Sequence, residues 1–157
     1  MGFSDLKRRV QHYGYKYDYK ARRITPDLKI GAIPDWLAGL CGELCANKIF
    51  AKIPDQVIIN EYQAGQGITS HIDCVPCFGE TIASISVCTP CVMEFMHIET
   101  GKKFSQLLEP RSLLTFSGEA RYKWQHAIPQ READIVNGQK ITRGRRISLT
   151  FRTVIVQ

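Results

Sequence analysis

The stretch Arg146-Ile-Ser-Leu-Thr-Phe-Arg152 constrains the fold more than any other part of this 157-residue chain. In an extended strand, Ile147, Leu149 and Phe151 would fall on one face and the polar residues on the other. The apolar face predicts burial in a core. The polar face, with an arginine at each end, could meet water, or it could line a concave wall that binds a small dianion, because guanidinium groups pair with carboxylates.

Two shorter motifs favour the concave wall. His71 and Asp73 lie two residues apart, so a strand would direct both side chains to one face. Adding the distant His126 gives two imidazoles and one carboxylate, a ligand set that holds non-haem Fe(II) and leaves coordination positions open. Asn60 and Tyr62 repeat the two-residue spacing and could supply an amide and a phenol to the same pocket.

Together these motifs resemble the AlkB family of Fe(II)/2-oxoglutarate dioxygenases. The resemblance rests on residues 8–15 (RRVQHYGY), 60–73 (NEYQAGQGITSHID), 111–126 (RSLLTFSGEARYKWQH) and 146–152 (RISLTFR), and it covers nearly the whole chain. The last stretch departs from the family pattern, because Ser148 stands where an asparagine is usual. Within the family, the chain is similar to the branch that hydroxylates a side chain on the wobble uridine of tRNA.

The resemblance implies a role for each matching residue. The implied iron ligands are His71, Asp73 and His126, with Fe(II), O2 and the cosubstrate 2-oxoglutarate as the small molecules required. The residues implied to bind 2-oxoglutarate are Asn60, Tyr62, Arg146, Ser148 and Arg152. The residues implied to border the nucleotide pocket are Arg9, His12, Tyr13 and Arg121. The implied reaction oxidises a C–H bond of a modified or alkylated nucleobase, by stable hydroxylation or by oxidative demethylation.

Positive charge is concentrated at the two ends of the chain, whose formal net charge is +6. Residues 1–30 contain eight Lys/Arg against three acids, residues 31–110 contain four against nine, and residues 111–157 contain nine against three. A generic solvated basic surface is one explanation. Contact with a phosphate backbone explains the clustering better, because clustered cations displace counterions from nucleic acid. We therefore expect a nucleic-acid partner, and the family resemblance favours RNA, with tRNA as a candidate, over DNA.

Tyrosines are interleaved with the basic residues near the start of the chain. Tyr13, Tyr15, Tyr17 and Tyr19 would share one face if this segment were an extended strand. Aromatic rows often pack in a core, yet an enzyme acting on a base must hold that base outside its stack, and one or two of these rings would serve that purpose. The pattern does not identify which ring. Residues 1–30 are accordingly interpreted as a nucleotide-recognition segment.

The rest of the sequence predicts a mostly β fold, a double-stranded β-helix (jelly roll) with one or two packing helices. The predicted strands cover residues 57–59, 82–87, 92–95 and 112–116. A helix is predicted from Pro34 and Asp35 to about Lys48, with an inward face of Leu37, Leu40, Cys41, Leu44 and Cys45. Residues 107–110 are interpreted as a connection, and the polar stretch 130–145 as a surface loop.

The chain is expected to form a single domain over residues 1–157, with a jelly-roll core over 55–157. The segment that usually precedes Arg8 in the family is expected to be missing. No cysteine-rich tail, RNA-binding domain or methyltransferase domain is expected after Gln157. We further expect a monomer.

Six cysteines raise the question of a metal site or disulfides. The pairs Cys74–Cys77 and Cys88–Cys91 would lie at opposite ends of a strand over residues 81–88, roughly 25 Å apart, which is too far to share one zinc. A secreted disulfide framework is not expected either, because the start of the chain is charged and lacks an apolar signal segment. We expect reduced, partly buried thiols in a cytoplasmic or nuclear protein with no membrane-spanning segment.

Two other functions remain open at this level. A non-catalytic nucleic-acid-binding module could keep the same fold, and the missing N-terminal segment favours that alternative. A protein or small-molecule hydroxylase could also use it, although peptide hydroxylation does not require a basic, aromatic N-terminal segment. Metal-dependent release of succinate separates the enzyme from the binding module.

Overall fold

The structure is a computed structural model that describes residues 8–157, so the first seven residues of the predicted nucleotide-recognition segment lie outside it. Its elements in chain order are β1 (Arg9–Tyr13), α1 (Asp35–Ala46), β2 (Gln56–Tyr62), β3 (Ile68–His71), β4 (Ile82–Cys88), β5 (Cys91–His97), β6 (Lys103–Leu108), β7 (Ser112–Phe116), α2 (Gly118–Tyr122), β8 (Trp124–Ile128), β9 (Ala133–Val136), β10 (Gln139–Thr142) and β11 (Arg146–Arg152), with a 3-10 turn at Pro26–Leu28.

Two antiparallel sheets form the body of the molecule. The major sheet has the order β1-β2-β11-β4-β7, and the minor sheet has the order β3-β8-β5-β6. Strands that are distant in sequence therefore lie side by side, as in a jelly roll. Buried residues of both sheets, among them Tyr62, Phe95 and Phe116, belong to one core cluster. The predicted double-stranded β-helix with two short helices is confirmed.

The alternation in β11 separates two environments, as the sequence predicts. Phe151 packs with Leu37 and other residues of α1 in a second core cluster on the outer face of the major sheet. On the inner face, Arg146 and Ser148 are buried. The register places Arg146 opposite Tyr62, and Ser148 opposite Asn60.

Three local predictions need correction. The helix ends at Ala46, and Leu40 is 37% exposed, because α1 faces the sheet only along the row that contains Leu37, Cys41 and Leu44. Residues 107–108 belong to β6, a strand that is mostly exposed and therefore lacks a clear apolar alternation. Residues 130–145 are not a surface loop but contain the β9–β10 hairpin. Asp134 in this hairpin is buried and paired with arginines. In the sequence, such a buried ionic cluster has the same polar composition as an exposed loop.

The row of tyrosines does not form one strand face. Strand β1 ends at Tyr13, because Gly14 adopts a φ of +78° and a Cβ there would lie 2.0 Å from the backbone oxygen of Asp55. Tyr13 packs edge-on against Trp36 of α1, with ring centroids 5.9 Å apart. The last two tyrosines of the row turn instead toward the inner face, as described below.

The cysteines also differ from expectation. Cys74 and Cys77 form a disulfide, because the turn between them brings their Cα atoms to 5.3 Å, so the prediction of reduced thiols is wrong for this pair. Cys88 and Cys91 are free. Within residues 8–157, no cysteine belongs to a group of side chains positioned to share a metal ion. No helix in that range is long and apolar enough to cross a membrane.

Candidate metal centre and anion site

Three of the predicted side chains converge at one point on the minor sheet. His71 ends β3 and pairs with His126 of the neighbouring strand β8, and Asp73 follows two residues later. Asp73 Oδ1 lies 3.4 Å from His71 Nε2 and 3.5 Å from His126 Nε2. The three candidate ligand atoms all lie within 4.8 Å of one another. This spacing suits a single divalent cation bound by two imidazoles and a carboxylate.

The protonation of the three groups also suits a cation. His71 Nδ1 lies 2.7 Å from the carbonyl oxygen of Thr69, so the ring hydrogen sits there and the Nε2 lone pair faces the centre. Burial lowers the pKa of His126 to about 4, against a smaller opposing effect of the Asp73 charge. Burial alone would raise the pKa of Asp73, but the positive charge of Arg152 acts against this effect, and the pKa is held well below its usual range. The candidate donor set is therefore two ring nitrogens and one ionised carboxylate, a combination that suits a divalent cation.

Arg121 fixes the loop that carries Asp73. It is buried, and its guanidinium donates to the carbonyl oxygens of Asp73 at 2.7 Å, Cys74 at 3.2 Å, Phe78 at 3.3 Å and Gly79 at 3.1 Å. The structure thus places Arg121 beneath the ligand loop and not on a substrate-facing wall. Its visible contacts support the metal centre.

On the inner face of the major sheet, the guanidinium group of Arg146 has hydrogen-bond donors without an acceptor within residues 8–157. Arg146 Nη2 donates to Ser86 Oγ at 2.8 Å, whereas Arg146 Nε and Nη1 are buried and have no hydrogen-bond partner among the described residues. Leaving such donors unpaired is costly, and an anionic ligand such as a carboxylate would satisfy them. Tyr62 lies alongside, with its ring centroid 5.4 Å from the Arg146 guanidinium carbon. Burial raises the pKa of Tyr62, so its phenol stays a hydrogen-bond donor.

The two arginines of β11 are not equivalent. Arg152 Nε and Nη2 each lie 2.8 Å from Asp73 Oδ2, and Arg152 Nη1 lies 3.5 Å from Gln56 Oε1. Arg152 therefore binds the carboxylate of a candidate metal ligand, while Arg146 keeps two N–H donors without a partner in the described part of the chain. The sequence predicted that both guanidiniums contact the cosubstrate, and the structure leaves only Arg146 with unpaired donors for it.

A cavity of about 660 Å³ opens beside His71 and Asp73. Two tyrosines form an aromatic wall, with the Tyr17 ring centroid 4.7 Å from that of Tyr19 and 5.1 Å from that of Phe78. The other lining residues are Arg8, Arg22, Ile58, Asn60, Ile68, Thr69, Ile72, Cys74 and Arg152. Tyr62 and Arg146 border a separate space of only about 10 Å³.

The predicted nucleotide-pocket residues at the N-terminus are divided between the two faces of the major sheet. His12 lies behind the aromatic wall, where its Nδ1 accepts a hydrogen bond from the Tyr17 backbone N–H at 3.2 Å. Arg9 lies on the outer face, 3.6 Å from Glu61, and Tyr13 packs against α1 on that face. The structure does not bring Arg9 or Tyr13 to the cavity.

Sequence reasoning missed several residues of the site. Tyr17 and Tyr19 were members of the aromatic row but could not be singled out, and Arg22 was overlooked. Ser84 and Ser86 on β4 are buried opposite the polar face of β11. Their two-residue spacing within an apolar strand was a readable signal for a second polar inner face.

Comparisons with known proteins agree with this geometry. A family model described as the 2OG-Fe(II) oxygenase superfamily matches residues 4–152. An Arabidopsis thaliana protein named alkylated DNA repair protein ALKBH8 homolog is 36% identical over 171 residues, which cover 94% of this chain and 49% of that protein. A mouse protein named tRNA (carboxymethyluridine(34)-5-O)-methyltransferase ALKBH8 is 35% identical over 164 residues, which cover 94% of this chain and 24% of that protein.

The chain thus spans about half of the first relative and a quarter of the second. Among solved structures, that of OsALKBH1 has a TM-score of 0.67 at 18% identity, covering 94% of this chain and 78% of the other. At that identity the likeness supports the fold alone. The predicted resemblance to AlkB-type dioxygenases, including the ALKBH8 type, is confirmed by the family match and the relatives.

Proposed function

This chain belongs to the 2OG-Fe(II) oxygenase superfamily, and from that premise we propose that it oxidises a C–H bond on a nucleobase substituent in nucleic acid. The observation that carries the proposal is the convergence of His71, Asp73 and His126 at the edge of a cavity with an aromatic wall. The buried, unpaired donors of Arg146 on the facing sheet supply the matching anion site.

Different residues would bind the metal, bind the cosubstrate and position the metal ligands. His71, Asp73 and His126 would hold Fe(II), and Arg146 with Tyr62 and Asn60 would bind 2-oxoglutarate. When bound, the iron with 2-oxoglutarate and O2 supplies the oxidation of a C–H bond, with conversion of the cosubstrate to succinate and CO2. Arg152 and Arg121 keep the Asp73 carboxylate and its loop in place.

The substrate class follows from the cavity and its charge. Tyr17 and Tyr19 offer ring faces and edges beside the metal centre, where a base removed from its stack would be held. Arg22 adds a cation at the same wall, and the chain has a sequence pI of about 9.1. We favour RNA, and the anticodon region of tRNA in particular, over DNA. The name of the mouse relative refers to carboxymethyluridine 34 of tRNA and supports that preference.

Turnover and product analysis test the proposal. The protein is incubated with Fe(II), 2-oxoglutarate and either total tRNA or alkylated DNA and RNA oligonucleotides, and succinate and digested nucleosides are measured by mass spectrometry. We expect succinate together with an oxidised or demethylated nucleoside. His71→Ala should abolish both products, whereas His97→Ala should retain them, because His97 lies at the end of β5, where its ring accepts hydrogen bonds from its own turn and packs on Trp124.

Each other outcome has a defined meaning. No Fe(II)-dependent succinate from the wild-type protein would refute the enzyme and favour a nucleic-acid-binding module. Succinate release with no change in any nucleoside would refute the substrate class and favour a protein or small-molecule hydroxylase. A changed nucleoside in DNA alone would refute the preference for RNA.

A further inference from the structure

Two consecutive arginines at the start of β1 have opposite environments. Arg8 is 5% exposed and lines the cavity beside the metal centre. The Arg9 side chain is 81% exposed and reaches Glu61 on the outer face of the sheet. The two side chains therefore serve different faces of the sheet, and that of Arg8 lies on the face of the cavity.

The contacts of Arg8 lead to the cosubstrate site. Its Nε donates to Asn60 Oδ1 at 3.0 Å, and its guanidinium carbon lies 5.9 Å from the centroid of the Tyr62 ring. Arg146 approaches the same ring at 5.4 Å. The positive charges of Arg8 and Arg146 both act to lower the pKa of Tyr62, against the larger effect of its burial. Two cations thus flank the phenol beside the unpaired donors of Arg146.

The bond to Arg8 fixes which end of the Asn60 amide faces which way. An amide has an oxygen that only accepts hydrogen bonds and an NH2 group that only donates them. Because the oxygen is held by the Arg8 Nε–H, the NH2 group is directed away from that guanidinium. A carboxylate ligand needs donors, so an amide locked in this orientation is prepared for an anion, whereas a rotating amide would have to be ordered on binding.

We propose that Arg8 is a positioning residue for 2-oxoglutarate, acting by holding the Asn60 amide with its NH2 group toward the cosubstrate. This inference rests on the proposed function, since it assumes that 2-oxoglutarate binds at this sheet face. The role belongs to Arg8 and not to its neighbour, because only the inward-facing arginine reaches Asn60.

A binding measurement without turnover tests the role. The protein is loaded with Mn(II) in place of iron under anaerobic conditions, and 2-oxoglutarate affinity is measured by isothermal titration calorimetry. If the Asn60 amide must be ordered on binding, the cost of fixing one side chain should weaken 2-oxoglutarate binding in Arg8→Gln by roughly two- to tenfold. Arg9→Gln, the matched control, should bind like the wild type. Arg8→Lys keeps the charge but replaces the fixed Nε donor by a mobile ammonium group, so its affinity should lie between those of the wild type and Arg8→Gln.

A double-mutant cycle with Asn60→Ala separates positioning from a general structural role. If Arg8 acts through the amide, Arg8→Gln should have little further effect on 2-oxoglutarate affinity once Asn60 is alanine. Additive losses would overturn the inference, as would wild-type affinity in Arg8→Gln. If Arg8→Gln fails to fold, as a denaturation curve would show, the same cycle is run with Arg8→Lys, and a loss of affinity that persists once Asn60 is alanine overturns the inference. Failure of the wild-type protein to bind 2-oxoglutarate would instead refute the proposed function.

Discussion

Two buried aspartates in this molecule are both held by arginines, yet only one belongs to a candidate site. Asp134 is fully buried, and four N–H donors surround it: Arg143 Nε at 2.9 Å and the Val92 N–H at 3.1 Å on Oδ2, with Arg143 Nη2 at 2.9 Å and Arg131 Nε at 2.8 Å on Oδ1. These donors use all the acceptor positions of the carboxylate. Asp134 therefore has no capacity left for a ligand.

At Asp73 the hydrogen-bond donors are distributed unevenly over the two carboxylate oxygens. Arg152 occupies Oδ2 with two N–H donors, whereas the polar side-chain atoms of residues 8–157 that face Oδ1 are the Nε2 atoms of His71 and His126, at 3.4 and 3.5 Å. Those nitrogens are themselves ligand atoms when the rings are neutral. The difference shows that burial and arginine partners do not mark a functional carboxylate. A functional carboxylate is marked instead by an acceptor oxygen that faces other candidate ligand atoms.

The largest expected effect is on metal binding. Asp73→Ala should abolish binding of Fe(II), or of Mn(II) as its redox-stable substitute, because it removes one of the three candidate ligands that residues 8–157 bring together. Equilibrium dialysis under anaerobic conditions measures the loss. Asp134→Ala should bind the metal normally wherever it remains folded, and a metal affinity equal to wild type in Asp73→Ala would break the comparison.

The next largest effect is on stability, and it falls on the other aspartate. Asp134→Ala should lower the free energy of unfolding by about 3–5 kcal/mol, because it leaves the buried Arg143 guanidinium without its counter-charge. Urea denaturation of the metal-free protein gives the value. A change of less than about 1 kcal/mol would show that the Asp134 cluster does not anchor the hairpin.

Acid should remove part of the same stabilisation. Burial alone would raise the pKa of Asp134, but hydrogen bonds from Arg143, Arg131 and the Val92 N–H outweigh it and lower the pKa below its ordinary value of 3.8. A carboxyl with a lowered pKa in the folded state stabilises the protein above 3.8 and loses that contribution as pH falls through the lowered pKa. The stability gap between wild type and Asp134→Ala should therefore be constant near neutrality and narrow below pH 3.8. A gap that widens in acid would contradict this assignment.

The smallest expected effect is a difference in the free energy of unfolding between variants of the two arginines that bind Asp134. The Arg131 side chain is 40% exposed and makes one bond to the carboxylate, so Arg131→Gln should cost about 1 kcal/mol. Arg143→Gln should cost clearly more, because Arg143 is buried, binds both carboxylate oxygens and also donates to Pro129 O. Equal losses in urea denaturation would mean that burial does not set the strength of these contacts.

Much of the candidate site could be predicted before the fold was known. The two-residue spacings of His71 with Asp73, and of Asn60 with Tyr62, place each pair on one face of an extended segment regardless of what surrounds it. The alternation from Arg146 to Arg152 likewise separates core from inner face. These are local properties of the backbone, and the structure places all of these pairs as the spacing requires.

Other features could not be read from spacing. Arg8 and Arg9 are identical in chemistry and adjacent in sequence, and the fold alone puts one at the cavity and the other on the surface. Asp134 was hidden in a polar stretch, because a buried ionic cluster and an exposed loop have similar composition.

The sequence by itself therefore determined the ligand types, the strand faces and the family to which the chain belongs. Only the tertiary structure decided that Arg152 binds Asp73 while Arg146 keeps unpaired donors, and that Tyr17 and Tyr19 line the cavity beside His71 and Asp73. The physical reason is the difference in sequence separation between the interactions that set the two kinds of feature. Side-chain direction along a strand is set by the next one or two residues, whereas the partner that satisfies a charge is brought in from a distant part of the chain, 79 residues away for Arg152 and Asp73.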